Sequence, residues 1–215
     1  MTTEIAPDIL QRLAAFGTAT IHEAQGQSGA MASAIKPIDP AMRLCGRAYT
    51  VDSRSDDNLI LHFALTRARP GDILVVDAKG FLEAGPWGDV MSFAARKAGI
   101  AGLVIDGSVR DSQTIIDMGF PIFSRGLSIK GTAKNQPGKV GVPIVCGGVT
   151  VRPGDVIVGD RDGVVVVESA RAAEVVDLCQ AREDKEDAMR RKIEQGATIA
   201  DLIGLGPVFE KHGLR

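Results

Sequence analysis

The stretch that most constrains the fold runs from residue 87 to residue 111, WGDVMSFAARKAGIAGLVIDGSVRD. Its first part, 89–98, has helical spacing of apolar residues, and the later Leu103-Val104-Ile105 is fully apolar. This order predicts a helix followed by a buried strand. Asp89 stands where that helix begins, and Asp111 follows the strand where a second short helix begins. The chain is therefore organised around a helix–strand–helix unit with an aspartate at each helix start.

The rest of the chain alternates helices and strands early and clusters its strands later. Helices are predicted at 7–16, 56–68, 89–98 and 112–118, and strands at 43–52, 103–105 and 121–126. Hairpins are predicted at 140–155 and 156–169, the second turning at 160–163. Thr18 or Thr20 is predicted to cap a short second helix. This alternation predicts an α/β core with a mixed sheet rather than a doubly wound fold.

Two segments, 69–77 and 152–160, share a Pro-Gly-Asp turn that leads into an apolar strand. Because Gly and Asp have well-defined roles in turns, the shared pattern predicts that both strands begin with the same turn. One short match of this kind does not establish a duplicated unit.

Composition excludes several classes of protein. A net charge of -2 gives no basic field, so nucleic acid is not expected as a partner. No run reaches the roughly 20 apolar residues of a membrane span, and MTTEIAPDILQRL lacks the features of a secretory signal. Cys45, Cys146 and Cys179 are isolated, so neither a disulfide framework nor a thiolate zinc site is expected. These features predict a cytoplasmic protein without a membrane partner.

The C-terminal part differs from the rest of the chain. The 215 residues fit one domain with a terminal extension, which we assign as a core at 1–170 and a helix and tail at 171–215. The helix, from 171 to about 194, has an apolar side only in its first half, and the tail turns apolar again. This pattern predicts an arm that packs on a neighbouring subunit.

Gly88 and Asp89 suggest a carboxylate-binding site. Gly88 lets the backbone approach a ligand closely, and the free N–H groups of Val90 and Met91 point forward from the positive end of the helix dipole. The alternative is that Asp89 merely caps the helix, which is common and contributes ~1 kcal/mol. Spacing alone favours the cap.

Asp111 presents the same choice after the apolar strand. Ligands of open α/β sheets collect at the carboxyl ends of the strands, but an aspartate at this position is also a natural helix cap. The preceding Arg110 either forms a surface ion pair with Asp111 or binds a carboxylate or enolate oxygen. The residue types alone leave both interpretations open.

Few residues suit a metal site built from nitrogen or sulfur ligands, such as a zinc site. His22, His62 and His212 form no HxH or HxxxH pair and no neighbouring His/Cys set. A bound metal would therefore have mostly oxygen ligands, which favours Mg²⁺ or Mn²⁺ held by one or two carboxylates. Lys130 and Lys134 could in principle form a Schiff base, but their polar loop favours ordinary surface lysines.

Asp89, twenty intervening residues and Arg110-Asp111 match a D-x(20)-R-D signature. In this the chain resembles the class II pyruvate aldolases of the RraA-like family, which cleave 4-hydroxy-4-methyl-2-oxoglutarate and 4-carboxy-4-hydroxy-2-oxoadipate. The likeness covers nearly the whole chain and includes TATIHEAQG (18–26), GLVIDGSVRD (102–111), MGFPIF (118–123), VPIVCGGVTVRPGDVIVGDRDGVVVV (142–167) and AREDKE (181–186).

The resemblance implies an RraA-like α-β-β-α sandwich, with a swivelling β/β/α-type core and a C-terminal helical arm, assembled as homotrimers or homohexamers. It implies that Asp111 ligates Mg²⁺ or Mn²⁺ directly, whereas Asp89 acts on the metal through a water. Arg110 would contact the keto oxygen of the substrate. No organic cofactor is expected.

The resemblance also assigns roles to backbone groups and to a second subunit. Gly88 and the amides of Val90 and Met91 would receive the pyruvyl carboxylate. Glu23 and Glu186 would come from the adjacent subunit and complete the catalytic water network. Without the resemblance, both glutamates would be interpreted as solvated helix carboxylates.

The implied reaction is a retro-aldol cleavage to pyruvate plus oxaloacetate or pyruvate, in the catabolism of aromatic compounds. Oxaloacetate decarboxylation is the expected side reaction, because it gives the same enolate. RraA proteins that regulate a ribonuclease share the fold and much of the signature, so a non-catalytic regulator is the alternative. The chain has Gly204-Leu205-Gly206 where these aldolases often carry a basic residue, which leaves recognition of the distal carboxylate open.

Overall fold

Residues 5–214 of the chain are described by a computed structural model. Within them the chain forms eight α-helices, a short 3-10 helix (Ser169–Arg171) and ten strands. The helices are α1 (Pro7–Ala15), α2 (Thr18–Ala24), α3 (Leu59–Leu65), α4 (Asp89–Lys97), α5 (Ser112–Met118), α6 (Ala172–Glu194), α7 (Ile199–Leu202) and α8 (Gly206–Lys211). The strands are β1 (Lys36–Pro37), β2 (Leu44–Asp52), β3 (Asp72–Phe81), β4 (Gly102–Val109), β5 (Ile122–Leu127), β6 (Lys139–Val140), β7 (Ile144–Cys146), β8 (Val149–Val151), β9 (Val156–Asp160) and β10 (Gly163–Val167).

One mixed sheet organises the fold. Its strand order is β1-β5-β4-β3-β2-β9-β10, and β6 pairs with β2 beside this path. The central strands β2 to β5 are parallel, whereas β1, β9 and β10 run antiparallel to their neighbours. The sheet curves so that β1 and β10, at its two ends, approach each other. The predicted mixed α/β core is confirmed, since a helix lies in each connection between parallel strands.

The two faces of the sheet bury different elements, because side chains alternate along a strand. Leu74 and Val76 of β3 pack with helices α3, α4 and α5, whereas Ile73 and Val75 pack with the β7–β8 hairpin. Helices α1, α2 and α6 pack on β9 and β10. Helices thus cover one face of β3 and pack on β9 and β10, whereas the β7–β8 hairpin covers the other face of β3, and the predicted α/β fold class is confirmed.

The two Pro-Gly-Asp turns make the same hydrogen bond, as their shared sequence predicts. Before β3, the Asp72 carboxylate accepts the N–H of Arg69 at 2.8 Å. Before β9, the Asp155 carboxylate accepts the N–H of Arg152, also at 2.8 Å. Both aspartates are buried. In each turn a carboxylate therefore closes the chain just before it enters the sheet.

The start of α2 differs from the prediction. Thr18 and Thr20 are not its caps: Gly17 occupies the N-cap position, and Thr18 is already the first helical residue. Asp160, at the β9–β10 turn, accepts the Thr18 N–H at 2.8 Å and the Thr18 hydroxyl at 2.7 Å. The predicted hairpin is confirmed, and its first turn residue ties α2 to the sheet.

The C-terminal helix α6 is buried only in its first half. Val175, Val176 and Cys179 belong to the cluster that includes α1 and α2, whereas the second half is largely exposed. The tail helices leave apolar side chains at the surface, including Ile199, Ile203, Val208 and Phe209. Packing of this arm on a neighbouring subunit stays a prediction. Between residues 5 and 214, no helix is both long and apolar enough to cross a membrane.

Candidate active site

Asp89 and Asp111 lie at the same edge of the central sheet. Asp89 is the first residue of α4, which follows β3, and Asp111 directly precedes α5, which follows β4. Because β3 and β4 are parallel neighbours, both connections leave the sheet at the carboxyl ends of adjacent strands. The fold therefore brings together two aspartates that are well separated in sequence.

Neither aspartate is the side-chain cap that spacing alone favours. In the described part of the chain, neither carboxylate bonds to the start of its own helix. Asp111 has a left-handed backbone, φ 57° and ψ 34°, which costs a residue with a side chain on the order of 1 kcal/mol. Its Oδ2 instead accepts the N–H of Asp89 at 3.3 Å. The strained backbone thus directs the Asp111 carboxylate to the start of the other helix.

A side chain at position 88 would displace the side chains of Asp111 and Arg110. A Cβ there would lie 2.4 Å from Asp111 Oδ2 and 3.0 Å from Arg110 Nε. Arg110 Nε is 3.5 Å from Asp111 Oδ2, and the two side chains are 43% and 40% exposed. Because an ion pair this exposed contributes about 1 kcal/mol at most, stability alone does not explain why three groups crowd together here.

The start of α4 offers unpaired donors to a small cavity. The N–H groups of Val90 and Met91 belong to the first turn, and no acceptor is found for them within residues 5–214. The positive end of the helix dipole favours an anion at this position. The adjoining cavity has a volume of about 130 Å³ and is lined by Asn58, His62, Pro86, Gly88, Asp89, Val90, Met91, Arg110 and Lys134. The arrangement fits the carboxylate-binding interpretation.

Asn58 is a site residue that sequence reasoning missed. It is 6% exposed, and its Nδ2 donates to the Pro86 carbonyl at 2.9 Å. Its Oδ1 has no hydrogen-bond partner among residues 5–214. A buried acceptor without a donor costs about 1–3 kcal/mol, so this oxygen is suited to a ligand hydroxyl. No motif or spacing connects Asn58 with Asp89 or Asp111, so the sequence carried no signal for it.

Two further residues, Lys134 and His62, line the cavity, and the lysine influences the ionisation of the histidine. Lys134 is exposed, as expected of a surface lysine, but it also lines the cavity. Burial, together with the nearby Lys134 ammonium, lowers the pKa of His62, so its imidazole is uncharged at neutral pH. Lys130, the other lysine of this loop, pairs with Glu83 at 2.6 Å on the surface. The cavity therefore has two flanking cations, Lys134 and Arg110.

Glu23 and Glu186 lie together in a different part of the chain. They are on α2 and α6, two helices that pack against each other. Arg182 joins them, with Nη1 3.8 Å from Glu23 Oε2 and Nε 2.9 Å from Glu186 Oε1. Among the described residues, neither glutamate lines the cavity of its own chain. The predicted site is thus split into two halves, and its completion by an adjacent subunit stays a prediction.

The residues at the sheet edge fit a hard divalent cation with few protein ligands. Asp111 and Asp89 supply carboxylate oxygens, and Gly88 leaves open the space beside Asp111 Oδ2 that a Cβ would fill. Elsewhere within residues 5–214, as here, no three His, Cys, Asp or Glu side chains are grouped to hold a metal. This donor set suits Mg²⁺ or Mn²⁺, which retain several waters, better than Zn²⁺, which prefers nitrogen and sulfur.

Comparison with known protein families identifies a matching family. A family model described as RraA-like, Aldolase/RraA, matches residues 18–166. That range includes Glu23, Asp89, Arg110 and Asp111, and it ends before α6, which carries Glu186.

Individual relatives and solved structures agree with this match. A relative from Halalkalibacterium halodurans, named provisionally as a 4-hydroxy-4-methyl-2-oxoglutarate aldolase, is 38% identical over 86% of this chain and 89% of the relative. A solved structure of an uncharacterised protein from Pseudomonas syringae pv. tomato has a TM-score of 0.83 and 34% identity, covering 94% of this chain and 95% of that one. The RNA-processing inhibitor RraA from Thermus thermophilis has a TM-score of 0.65 and 27% identity, covering 71% of this chain and 92% of that one.

Proposed function

The chain belongs to the RraA-like family, and we propose that it is a class II pyruvate aldolase, a carbon–carbon lyase that requires a divalent metal. Its proposed substrates are 4-carboxy-4-hydroxy-2-oxoadipate and 4-hydroxy-4-methyl-2-oxoglutarate, cleaved to pyruvate plus oxaloacetate or pyruvate. The observation that carries the proposal is the crowding around Gly88, where Asp111, Arg110 and the free amides of α4 meet. The name of the H. halodurans relative supports the same class of reaction.

The start of α4 is proposed to bind the pyruvyl carboxylate. The N–H groups of Val90 and Met91 donate to its oxygens at the positive end of the helix dipole. Gly88 allows the close approach that a side chain would block. Arg110 is fixed through its own N–H, which donates to the Trp87 carbonyl at 2.9 Å, and its guanidinium donates to the 2-keto oxygen.

Cleavage of the C3–C4 bond leaves pyruvate as its enolate, so negative charge develops on the 2-keto oxygen. Arg110 stabilises that charge more in the transition state than in the substrate, which lowers the barrier. A divalent metal held by Asp111, with Asp89 acting through a water, would supply Lewis-acid stabilisation of the same oxygen when bound.

The proton and electron balance is complete without an oxidant or reductant. A base removes the C4 hydroxyl proton, and the electrons of that O–H bond form the C4 carbonyl of the second product. The C3–C4 bonding electrons form the enolate, and C3 then takes a proton to give pyruvate. Oxaloacetate loses carbon dioxide to form the same enolate, so oxaloacetate decarboxylation is the proposed side activity.

We propose that Glu23 and Glu186 serve the site of an adjacent subunit in a homotrimer or homohexamer, where they orient the water that accepts the hydroxyl proton. The cavity of one chain, about 130 Å³, is smaller than the roughly 300–1,000 Å³ typical of small-molecule sites. Val90 and Phe93 beside it are 74% and 53% exposed, as expected of a surface that a second chain covers.

Subunit mixing tests this sharing. Asp111→Ala and Glu186→Gln should each be inactive, but mixed subunits should recover pyruvate release, because some sites then receive an intact residue from each chain. Inactive mixed oligomers would contradict a shared site.

Recognition of the distal carboxylate is proposed to involve Lys134. Gly204-Leu205-Gly206, where related aldolases often have a basic residue, lies in the exposed tail between α7 and the start of α8. Lys134 lines the cavity and is a cation of this chain that can take over that contact.

We place the reaction in the cytoplasm, in the catabolism of aromatic compounds.

The proposal is tested by pyruvate release from 4-carboxy-4-hydroxy-2-oxoadipate and from oxaloacetate, in Mg²⁺ or Mn²⁺ and in EDTA. Release that requires the metal and stops in EDTA supports it, whereas no release with either metal contradicts it. Activity that survives EDTA and is trapped by borohydride would instead indicate a Schiff base at Lys130 or Lys134.

A non-catalytic regulator of a ribonuclease is the second candidate, because the RNA-processing inhibitor RraA from T. thermophilis shares the fold over 71% of this chain. A regulator would release no pyruvate in a metal-dependent manner, and its inhibition of a ribonuclease would survive Asp111→Ala. The aldolase proposal predicts metal-dependent release that Asp111→Ala abolishes.

A further inference from the structure

Lys134 lines the cavity from a loop, 128–138, in which one buried side chain holds the two residues that follow the lysine. The Asp57 carboxylate is 1% exposed. Its Oδ2 accepts the N–H groups of Asn135 at 2.7 Å and of Gln136 at 3.0 Å. These are the two residues directly after Lys134, so the bonds fix the backbone that carries the lysine.

The other oxygen of Asp57 fixes the opposite side of the cavity. Oδ1 accepts the N–H of Leu59, in the first turn of α3, at 2.9 Å. Asn58, between these two residues, donates its backbone N–H to the Ala133 carbonyl at 3.1 Å and its Nδ2 to Pro86. One buried carboxylate therefore links the helix start that carries Asn58 to the loop that carries Lys134.

The charge on Asp57 strengthens this link. Burial alone would raise the pKa of Asp57, but the N–H donors of Asn135, Leu59 and Gln136 and the nearby Lys134 ammonium lower it below its ordinary value. The carboxylate is therefore ionised at neutral pH. Hydrogen bonds to an ionised acceptor are roughly twice as strong as neutral ones, so the loop is held firmly.

We propose that Asp57 is a positioning residue, which does not touch the substrate but sets the place of Lys134 at the cavity and thereby the affinity for an anionic substrate. The inference rests on the proposed function, since it concerns how a 4-hydroxy-2-oxo acid is bound. A lysine on an unrestrained loop would lose conformational freedom on binding, whereas the loop tied by Asp57 has already lost it.

Asp57→Ser removes the side-chain bonds to the loop residues after Lys134, while the backbone bonds of Ala133 with Asp56 and Asn58 remain. A serine hydroxyl can still accept the Leu59 N–H and preserve the start of α3, but it is too short to hold the loop amides. We expect the KM for 4-carboxy-4-hydroxy-2-oxoadipate to rise about tenfold with kcat little changed, because the affected contact is equally strong in the substrate and the transition state. Asp56→Asn makes the same change of charge on the exposed neighbouring side chain and should leave KM unchanged.

A double-mutant cycle with Lys134→Met distinguishes positioning from a general structural role. If Asp57 acts through Lys134, the double variant has the same KM as Lys134→Met alone. Additive effects, or an unchanged KM in Asp57→Ser, would overturn the inference. Thermal unfolding checks that each variant is folded, and Asp57→Asn, which keeps one acceptor oxygen, replaces Asp57→Ser if the latter is unfolded. An inactive wild type would count against the proposed function instead.

Discussion

Two pairs of aspartates lie at the ends of strands in the main sheet, and the chain uses the two pairs in opposite ways. Asp72 and Asp155, before β3 and β9, are buried, and both oxygens of each are engaged by backbone N–H groups or an arginine. Asp89 and Asp111, at the carboxyl edge, are partly or largely exposed, and in the described residues neither carboxylate caps its own helix. The same residue type therefore stabilises the fold at two strand starts and is left available at the carboxyl edge of the parallel strands.

The difference separates the aspartates that stabilise the fold from the aspartates that are proposed to take part in the reaction. At the strand starts, each carboxylate satisfies buried donors that would otherwise be unpaired. At the carboxyl edge, Asp111 has a strained backbone, and the absence of a side chain at Gly88 leaves space beside the Asp111 carboxylate. Both are features of a functional site. Substitutions at the strand starts should therefore lower stability and leave activity intact, whereas substitutions at the carboxyl edge should lower activity and leave stability intact.

The largest expected effect is that of Asp111→Gly. We expect kcat/KM for pyruvate release to fall by at least about 10³, because the proposed direct metal ligand is lost. Glycine adopts a positive φ without a Cβ clash, so the free energy of unfolding should stay unchanged or rise by up to ~1 kcal/mol. Metal-dependent kinetics and urea unfolding measure the two quantities. A variant that keeps its activity but loses stability would reverse the contrast.

Arg110→Met should lower kcat by about 10²–10³, because the proposed donor to the developing enolate oxygen is removed. Its exposed contact with Asp111 contributes little to stability, so the melting temperature should barely change. Arg125→Met is a matched control, since Arg125 pairs at 2.5 Å with the buried Asp106. That control should lower the melting temperature, because an unpaired buried carboxylate is costly. If both variants lost activity to the same extent, the fall in kcat of Arg110→Met could not be assigned to a role of Arg110 in the reaction.

Asp155→Ala should affect stability and not chemistry. The substitution leaves the N–H groups of Arg152 and Ser169 without their acceptor, which is expected to cost about 1–3 kcal/mol. Urea unfolding measures the loss, and kcat per folded molecule should stay at the wild-type value. Reduced kcat with full stability would show that this turn also serves the site.

The smallest expected effect concerns acid stability at Asp160. Burial alone would raise the pKa of this carboxyl, but the Thr18 N–H and hydroxyl and the Asp162 N–H lower it. A lowered folded-state pKa contributes stability above the unfolded value of about 4, and that stability is lost as pH falls through the folded value. Asp160→Asn should therefore flatten the decline in melting temperature on acidification. Asp162→Asn, the control with the same change of charge, should keep the wild-type slope.

Sequence patterns predicted the parts of the site that lie within one local unit. The helix expected at 89–98 is α4, the helix expected at 112–118 is α5, and the apolar strand between them is β4. Parallel pairing of adjacent strands then brings Asp89 near Asp111, as the rule on strand ends indicates.

Parts of the site that depend on tertiary bonds could not be predicted. Asn58 and Lys134 reach the cavity because Asp57 joins α3 to a distant loop, and neither local propensity nor periodicity reports such a bond. The acceptor at the start of α2 was missed for the same reason, since the Asp160 carboxylate that bonds Thr18 comes from another element. The roles of Glu23 and Glu186 stay predictions, because they depend on a second chain.

The most direct test of the contrast measures pyruvate release and unfolding together for the wild type, Asp111→Gly and Asp155→Ala, in Mg²⁺ and in EDTA. We predict that the wild type and folded Asp155→Ala release pyruvate from 4-carboxy-4-hydroxy-2-oxoadipate in Mg²⁺ and stop in EDTA. Asp111→Gly should be inactive in both although it is at least as stable as the wild type. Wild-type release that persists in EDTA, or full activity in Asp111→Gly, would contradict a metal-dependent aldolase at this site.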